Sequence, residues 1–103
     1  MAEPVIVSIP HRLGKDEAVR RLKTGLGRAR AEFASIMQVE REEWADDRLT
    51  FTLRALAQSV NGSIDVADDH VRIEVTLPWL LARIATSAQA MIRQRTTLML
   101  EKK

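Results

Sequence analysis

Hydrophobic and polar residues alternate with period two through much of the chain. Within residues 61–81 (NGSIDVADDHVRIEVTLPWLL), Ile64 and Val66 alternate with polar neighbours. After a polar break, Asp68-Asp69-His70, the residues Val71, Ile73, Val75 and Leu77 alternate with Arg72, Glu74 and Thr76. Two period-two runs about a short break predict a β-hairpin. Pro78 ends the second strand because it cannot donate to the ladder, and its fixed φ suits the first turn of a helix. Val5, Val7 and Ile9 predict a short strand closed by Pro10, at a sheet edge where proline is tolerated. Leu49, Phe51 and Leu53 alternate with Thr50, Thr52 and Arg54, a half-buried strand. Residues 36–44 form a strand with broken parity. Met37 and Val39 point one way and Trp44 the other, and a bulge between them reconciles the two. The Asp-rich stretch 45–48 predicts a turn. Residues 55–59 either continue the strand or bow outward. The next strand covers 60–66, where Gly62 marks a bulge or the close approach of a helix.

From Lys15 the period changes. Ala18, Val19, Leu22, Leu26, Ala29 and Phe33 recur three or four apart and predict a helix over 15–35. Asp16 and Glu17 lie in its first turn, where the helix dipole favours anions. Gly25 and Gly27 fall near the apolar stripe and would let the helix lie close to a sheet. A second helix is expected over 79–101, with a stripe of Leu80, Leu81, Ile84, Ala88, Met91, Ile92, Leu98 and Met99 interrupted by Arg95. The order is β-α-β-β-β-β-α. Short connections favour antiparallel neighbours. The expected fold class is therefore α+β: a two-layer sandwich with an antiparallel sheet of four to five strands and two helices on one face. No repeat or linker interrupts 1–103, which reads as a single domain.

Composition adds bounds. The chain has 103 residues, no cysteine and a net charge of +2. That length supports one core, and disulfides and thiolate metal sites are excluded. The opening residues lack the basic and long apolar regions of a secretory signal, and no apolar run approaches the ~20 residues of a membrane span. A cytoplasmic location is expected. Charge is uneven: residues 1–30 are basic and residues 31–47 acidic. The basic residues Arg20, Arg21, Lys23, Arg28 and Arg30 spread around the first helix, so a nucleic-acid footprint on one face is not expected.

Candidate chemistry is sparse. No phosphate-binding glycine loop, nucleophile elbow or HExxH motif is present. His70 follows two aspartates in a tight turn, where turn chemistry outweighs metal binding, and His11 reads as a connector histidine. Glu42 and Glu43 are neighbours on a strand and point to opposite faces, so they do not form a dyad. No catalytic residue, cofactor or metal is expected. Trp44 and Phe51 are candidate pocket-lining residues between sheet and helices, with core or rim packing as the plain reading. Trp79, Leu80, Met91, Leu98, Met99 and Leu100 are candidates for an apolar partner surface. Leu98, Met99 and Leu100 are consecutive and cover nearly the whole girth of a helical turn, so some must face solvent in a monomer. Homodimerisation through this end is the favoured reading, ahead of fraying or attachment to a hydrophobic body.

Several motifs together resemble a known family. They are His11-x-Leu13 before a helix with Glu17-Ala18; Trp44-x-x-Asp47-x-Leu49-x-Phe51; Gly62-x-Ile64-x-Val66; and Asp69-x-Val71-x-Ile73-x-Val75-x-Leu77-Pro78. They resemble the small polyhydroxyalkanoic acid system proteins, encoded in bacteria beside genes for polyhydroxyalkanoate (PHA) synthesis and granule surfaces. The resemblance spans about 6–99. It implies a cellular setting and transfers no catalytic motif. The expected function is a non-enzymatic accessory protein of PHA metabolism at the granule or its associated proteins. The alternatives are a small hydrophobic-ligand-binding protein and a basic nucleic-acid-binding regulator.

Overall fold

The computed structural model describes residues 3–55, 57–78, 83 and 85–101. Five strands and two helices follow in the order β1 (Glu3–Pro10), α1 (Lys15–Glu32), β2 (Met37–Ala45), β3 (Arg48–Ala55), β4 (Gln58–Val66), β5 (His70–Leu77) and α2 (Ala85–Glu101). The strands form one sheet in the order β1-β5-β4-β3-β2, with every neighbouring pair antiparallel. The first strand thus crosses over to pair with the last, and β1 and β2 are the two edges. This is the expected α+β fold with five strands.

Register follows from the alternation. Val5, Val7 and Ile9 pair with Val75, Ile73 and Val71. Ile64 and Val66 pair with Ile73 and Val71, and Leu49 pairs with Ile64. All of these residues are buried, on the face that the helices cover. A slip of one residue would turn every one of them to solvent, so the apolar pattern fixes the pairing. The other face carries Thr50, Thr52, Asn61, Ser63, Arg72 and Glu74. In β2 the register shifts between Val39 and Arg41. This is the expected bulge, with Glu40 as the extra residue. The 45–48 turn is tight, and Asp46 adopts φ 58. Aspartate tolerates that left-handed region better than most residues. Residues 55 and 58 pair directly, so β3 continues to Ala55 and turns at once.

Two glycine expectations change. Gly62 pairs with Phe51 in unbroken register, so there is no bulge at that position. A Cβ there would sit 2.7 Å from Phe51 Cε2 and 3.0 Å from the Glu74 carbonyl oxygen. The close neighbour is a ring from the adjacent strand, not a helix. Gly25 brings α1 against α2 and not against the sheet: a Cβ would lie 2.8 Å from Met99 Sδ and 2.9 Å from Met99 Cβ. Gly27 meets nothing within 4 Å.

On α2 the inward stripe is Ala85, Ala88, Ile92, Thr96, Met99 and Leu100. Thr96 is buried where the sequence pattern left a gap beside Arg95. Gln89 donates to the Ile6 carbonyl (3.4 Å) and Arg93 to the Ser8 carbonyl (3.2 Å). These acceptors lie on the side of β1 away from β5, so α2 covers that edge as well as the apolar face. Pro4 and Pro10 share the parity of Ile6 and Ser8, so their missing N–H groups remove no ladder bond.

Candidate functional site

The seam between α1 and α2 gathers Arg20, Arg21, Arg28, Glu32 and Arg95. Arg20, Thr24 and Arg28 stand four residues apart on α1 and form one rim of a groove. Arg95 and Leu98 of α2 form the other, and Gly25, Ala29 and Met99 lie between. The groove holds about 110 Å³. Its geometry depends on Gly25, because a side chain there would push α2 away.

Ion pairs order this seam. Glu17 accepts from Arg20 Nε (2.8 Å) and Nη2 (2.6 Å), and from Arg21 Nε (2.7 Å). The Arg20 bonds, and then those of Arg21, hold the Glu17 carboxyl down at about 2. Arg21 donates through Nη1 to the Leu100 carbonyl at 2.5 Å. A cation there satisfies a carbonyl at the C-terminal end of α2 and complements its dipole. Arg95 reaches Glu32 at 3.0 Å and lies 5.1 Å from the Phe33 ring centroid, an ion pair and a cation–π contact together. Among the described residues, Arg28 makes no ion pair.

A second cluster sits where the β2–β3 turn, the β4–β5 turn and the start of α1 meet. Lys15 pairs with Asp47 at 2.9 Å, and its backbone N–H donates to Asp68 Oδ1 at 3.1 Å. The pairing raises Lys15 and lowers Asp47 from their ordinary pKa values. His70 Nδ1 lies 2.7 Å from Asp69 Oδ1 in the exposed turn, and this contact lowers Asp69. His11 accepts the Leu13 N–H at Nδ1 (3.2 Å), and its Nε2 is buried with no partner among the described residues. No group of three metal-ligating side chains assembles among the described residues. Glu42 pairs with Arg30 of α1 and Glu43 with Arg41, on opposite faces of β2.

The six proposed partner-surface residues separate. Met91 is 51% and Leu98 46% exposed, while Leu100 is 5% exposed and belongs to the core. Leu100 therefore drops out of the exposed set, because its place on the inward stripe points it at α1 and the sheet. Met99 is half-buried against Gly25. Trp79 and Leu80 lie outside the described residues. Trp44 and Phe51 are half-buried against the core; Lys23 lies 5.1 Å from the Trp44 ring centroid, and the Phe51 ring covers Gly62. Neither ring lines the interhelical groove. The convergence of Arg20, Arg21 and Arg28 with Arg95 was not legible on α1 alone, because α2 supplies the opposite wall.

Fold and site define a small α+β protein whose helix pair carries an arginine-rich seam and two exposed apolar side chains. No helix among the described residues is long and apolar enough to cross a membrane. The chain belongs to the family described as "Putative polyhydroxyalkanoic acid system protein", which it matches over residues 5–100. The match runs from Val5 in β1 to Leu100 near the end of α2. A search of curated proteins gives no match.

Proposed function

We propose that this protein is a non-enzymatic accessory protein of polyhydroxyalkanoate metabolism that works at the granule, by docking on the polymer surface or on granule-associated proteins. The observation that carries the reading is the family match over 5–100, which links the chain to the PHA system. The contact residues would be Met91 and Leu98, seven apart on α2 and both about half exposed. Burial of apolar area there yields roughly 25 cal/mol per Å². The non-enzymatic part of the reading is supported by the exposure of His70 in an open turn beside Asp69. A hydrophobic-ligand role has less support, since the groove of about 110 Å³ is arginine-lined and the cleft of about 400 Å³ beside Val19 is walled by Lys15, Asp16, Asp46 and Asp47, where ligand pockets are mostly apolar. Pairing of two copies through the same α2 face is the companion proposal, and solution mass tests it.

Fractionation of polymer-accumulating cells tests the docking role. The wild-type chain should sediment with granules, and Met91→Ser/Leu98→Ser should shift it to the supernatant. Recovery of the wild type only in the supernatant, without granule proteins, would refute the proposal.

A further inference from the structure

We infer that the groove between α1 and α2 binds the phosphate group of a small anionic ligand. The inference stands on the seam itself and is independent of granule docking. Four arginines line the groove with one carboxylate, Glu32; a second, Glu17, pairs with Arg20 and Arg21, and no lysine is among the lining residues. Arginine presents a planar fork that matches phosphate oxygens two at a time, whereas lysine offers a point charge. Each guanidinium carries five N–H donors. The four together make five hydrogen bonds to the described protein atoms, to Glu17, Glu32 and the Leu100 carbonyl. Most donors are therefore uncommitted. Arg28 makes no ion pair among the described residues and lies on the same rim as Arg20 and Thr24, whose hydroxyl donates to the Arg20 carbonyl at 3.2 Å.

Geometry selects phosphate over carboxylate. The donors come from two helices on opposite walls. A carboxylate has two oxygens in one plane and is satisfied by a single fork. A tetrahedral phosphate directs oxygens towards both walls at once. The volume of about 110 Å³ equals that of a few water molecules. It accommodates a phosphate or diphosphate head and leaves the remainder of any larger ligand outside.

The walls are held in place before any ligand arrives. Arg21, whose side chain is 13% exposed, ties α1 to the end of α2 through Leu100, and Gly25 lets the helices approach. Such preorganisation limits the ordering cost of binding.

Titration of the full chain with inorganic pyrophosphate at low salt, followed by calorimetry and backbone amide shifts, tests the site. One equivalent should bind saturably, with the largest shifts at residues 20–29 and 95–99, and affinity should fall as salt rises. Arg28→Ala should weaken binding about tenfold, as expected for loss of a charge-assisted hydrogen-bonding group. Arg28→Lys should recover only part of that loss. Arg54→Ala, on the opposite face of the sheet, should change affinity less than about twofold, because exposed charges at a distance are screened. Circular dichroism verifies that each variant is folded. Unsaturable binding, equal losses for Arg28→Ala and Arg54→Ala, or citrate binding as tightly as pyrophosphate would each overturn the inference.

Discussion

At one edge of the sheet β1 lies against α2; at the other, β2 pairs with no strand but β3 among the described residues. Strand β1 alternates strictly, with Val5, Val7 and Ile9 buried and the intervening residues exposed. Gln89 and Arg93 occupy two of its outward carbonyls. Strand β2 carries six exposed residues of nine, a bulge at Glu40 and four consecutive charges from Glu40 to Glu43. An open row of backbone groups invites pairing with another chain, and proteins blunt it by cover or by charge and irregularity. Both devices occur here, one at each edge. The covered edge depends on tertiary contacts between distant segments. The open edge depends on its own sequence. Damage to α2 should therefore expose one edge and leave the other as it was.

The largest expected effect is at the covered edge. Leu100→Ala removes a core side chain of α2 that is 5% exposed. It should cost about 2–5 kcal/mol, the range for truncating a buried leucine. Val39→Ala, at a half-buried position beside the bulge of β2, should cost less than about 1 kcal/mol. Urea denaturation of the two variants measures the difference. Equal losses would mean that the two edges depend on the core alike, and the contrast would fail.

The glycines of α1 sharpen the same point at lower magnitude. Gly25→Ala drives a methyl against Met99, and since the clash includes Met99 Cβ at 2.9 Å, rotating that side chain does not relieve it. The helices must separate. Overpacking of about 1–3 kcal/mol outweighs the gain of about 1 kcal/mol in helix propensity. Gly27→Ala meets open space, so it should stabilise by up to about 1 kcal/mol. Midpoints shifting in the same direction for both variants would show that Gly25 does not set the approach of α2.

These residues also indicate how far the chain could be read without coordinates. Alternation at 5–9, 49–53 and 71–77 specified strands and faces, because a half-buried sheet leaves a period-two imprint. The parity break between Val39 and Trp44 showed the bulge for the same reason. Strand order was not legible: β1 reaches β5 across the whole chain, and nothing local encodes that pairing. Gly25 signalled close approach, but its partner, Met99, lies 74 positions away in the sequence. The arginine seam was hidden similarly. Around α1 alone its basic residues look scattered, and only the arrival of α2 selects Arg20, Arg21 and Arg28 as a set. Local periodicity thus carried the elements, and the site depended on long-range juxtaposition.

Acid pH should loosen the covered edge selectively, with the smallest effect of the three. Glu17 holds Arg21 as well as Arg20, and Arg21 holds the end of α2 through the Leu100 carbonyl. Its carboxyl titrates at about 2 in the folded protein, chiefly because Arg20 and then Arg21 donate to the charged form. A carboxylate lowered on folding contributes stability above its unfolded-state pKa, and that contribution disappears as pH falls through the folded-state value. The window therefore runs from the ordinary glutamate range down to about 2. Exposed ion pairs are weak and screened by solvent and salt, so the shift should be modest and should shrink further at high ionic strength. Asp47 and Asp69 are also lowered, which makes the pH dependence of the wild type alone ambiguous. Subtracting the curve for Glu17→Gln isolates one carboxyl. The wild-type advantage should be full near neutral pH, shrink progressively below about pH 4 and vanish near 2. Amide exchange at matched acid pH should quicken along α2 and at Val5, Val7 and Ile9, whose N–H groups face β5 beneath it, before it changes along β2. An advantage that persists undiminished to pH 2, or equal quickening at both edges, would show that Glu17 does not hold α2 over β1.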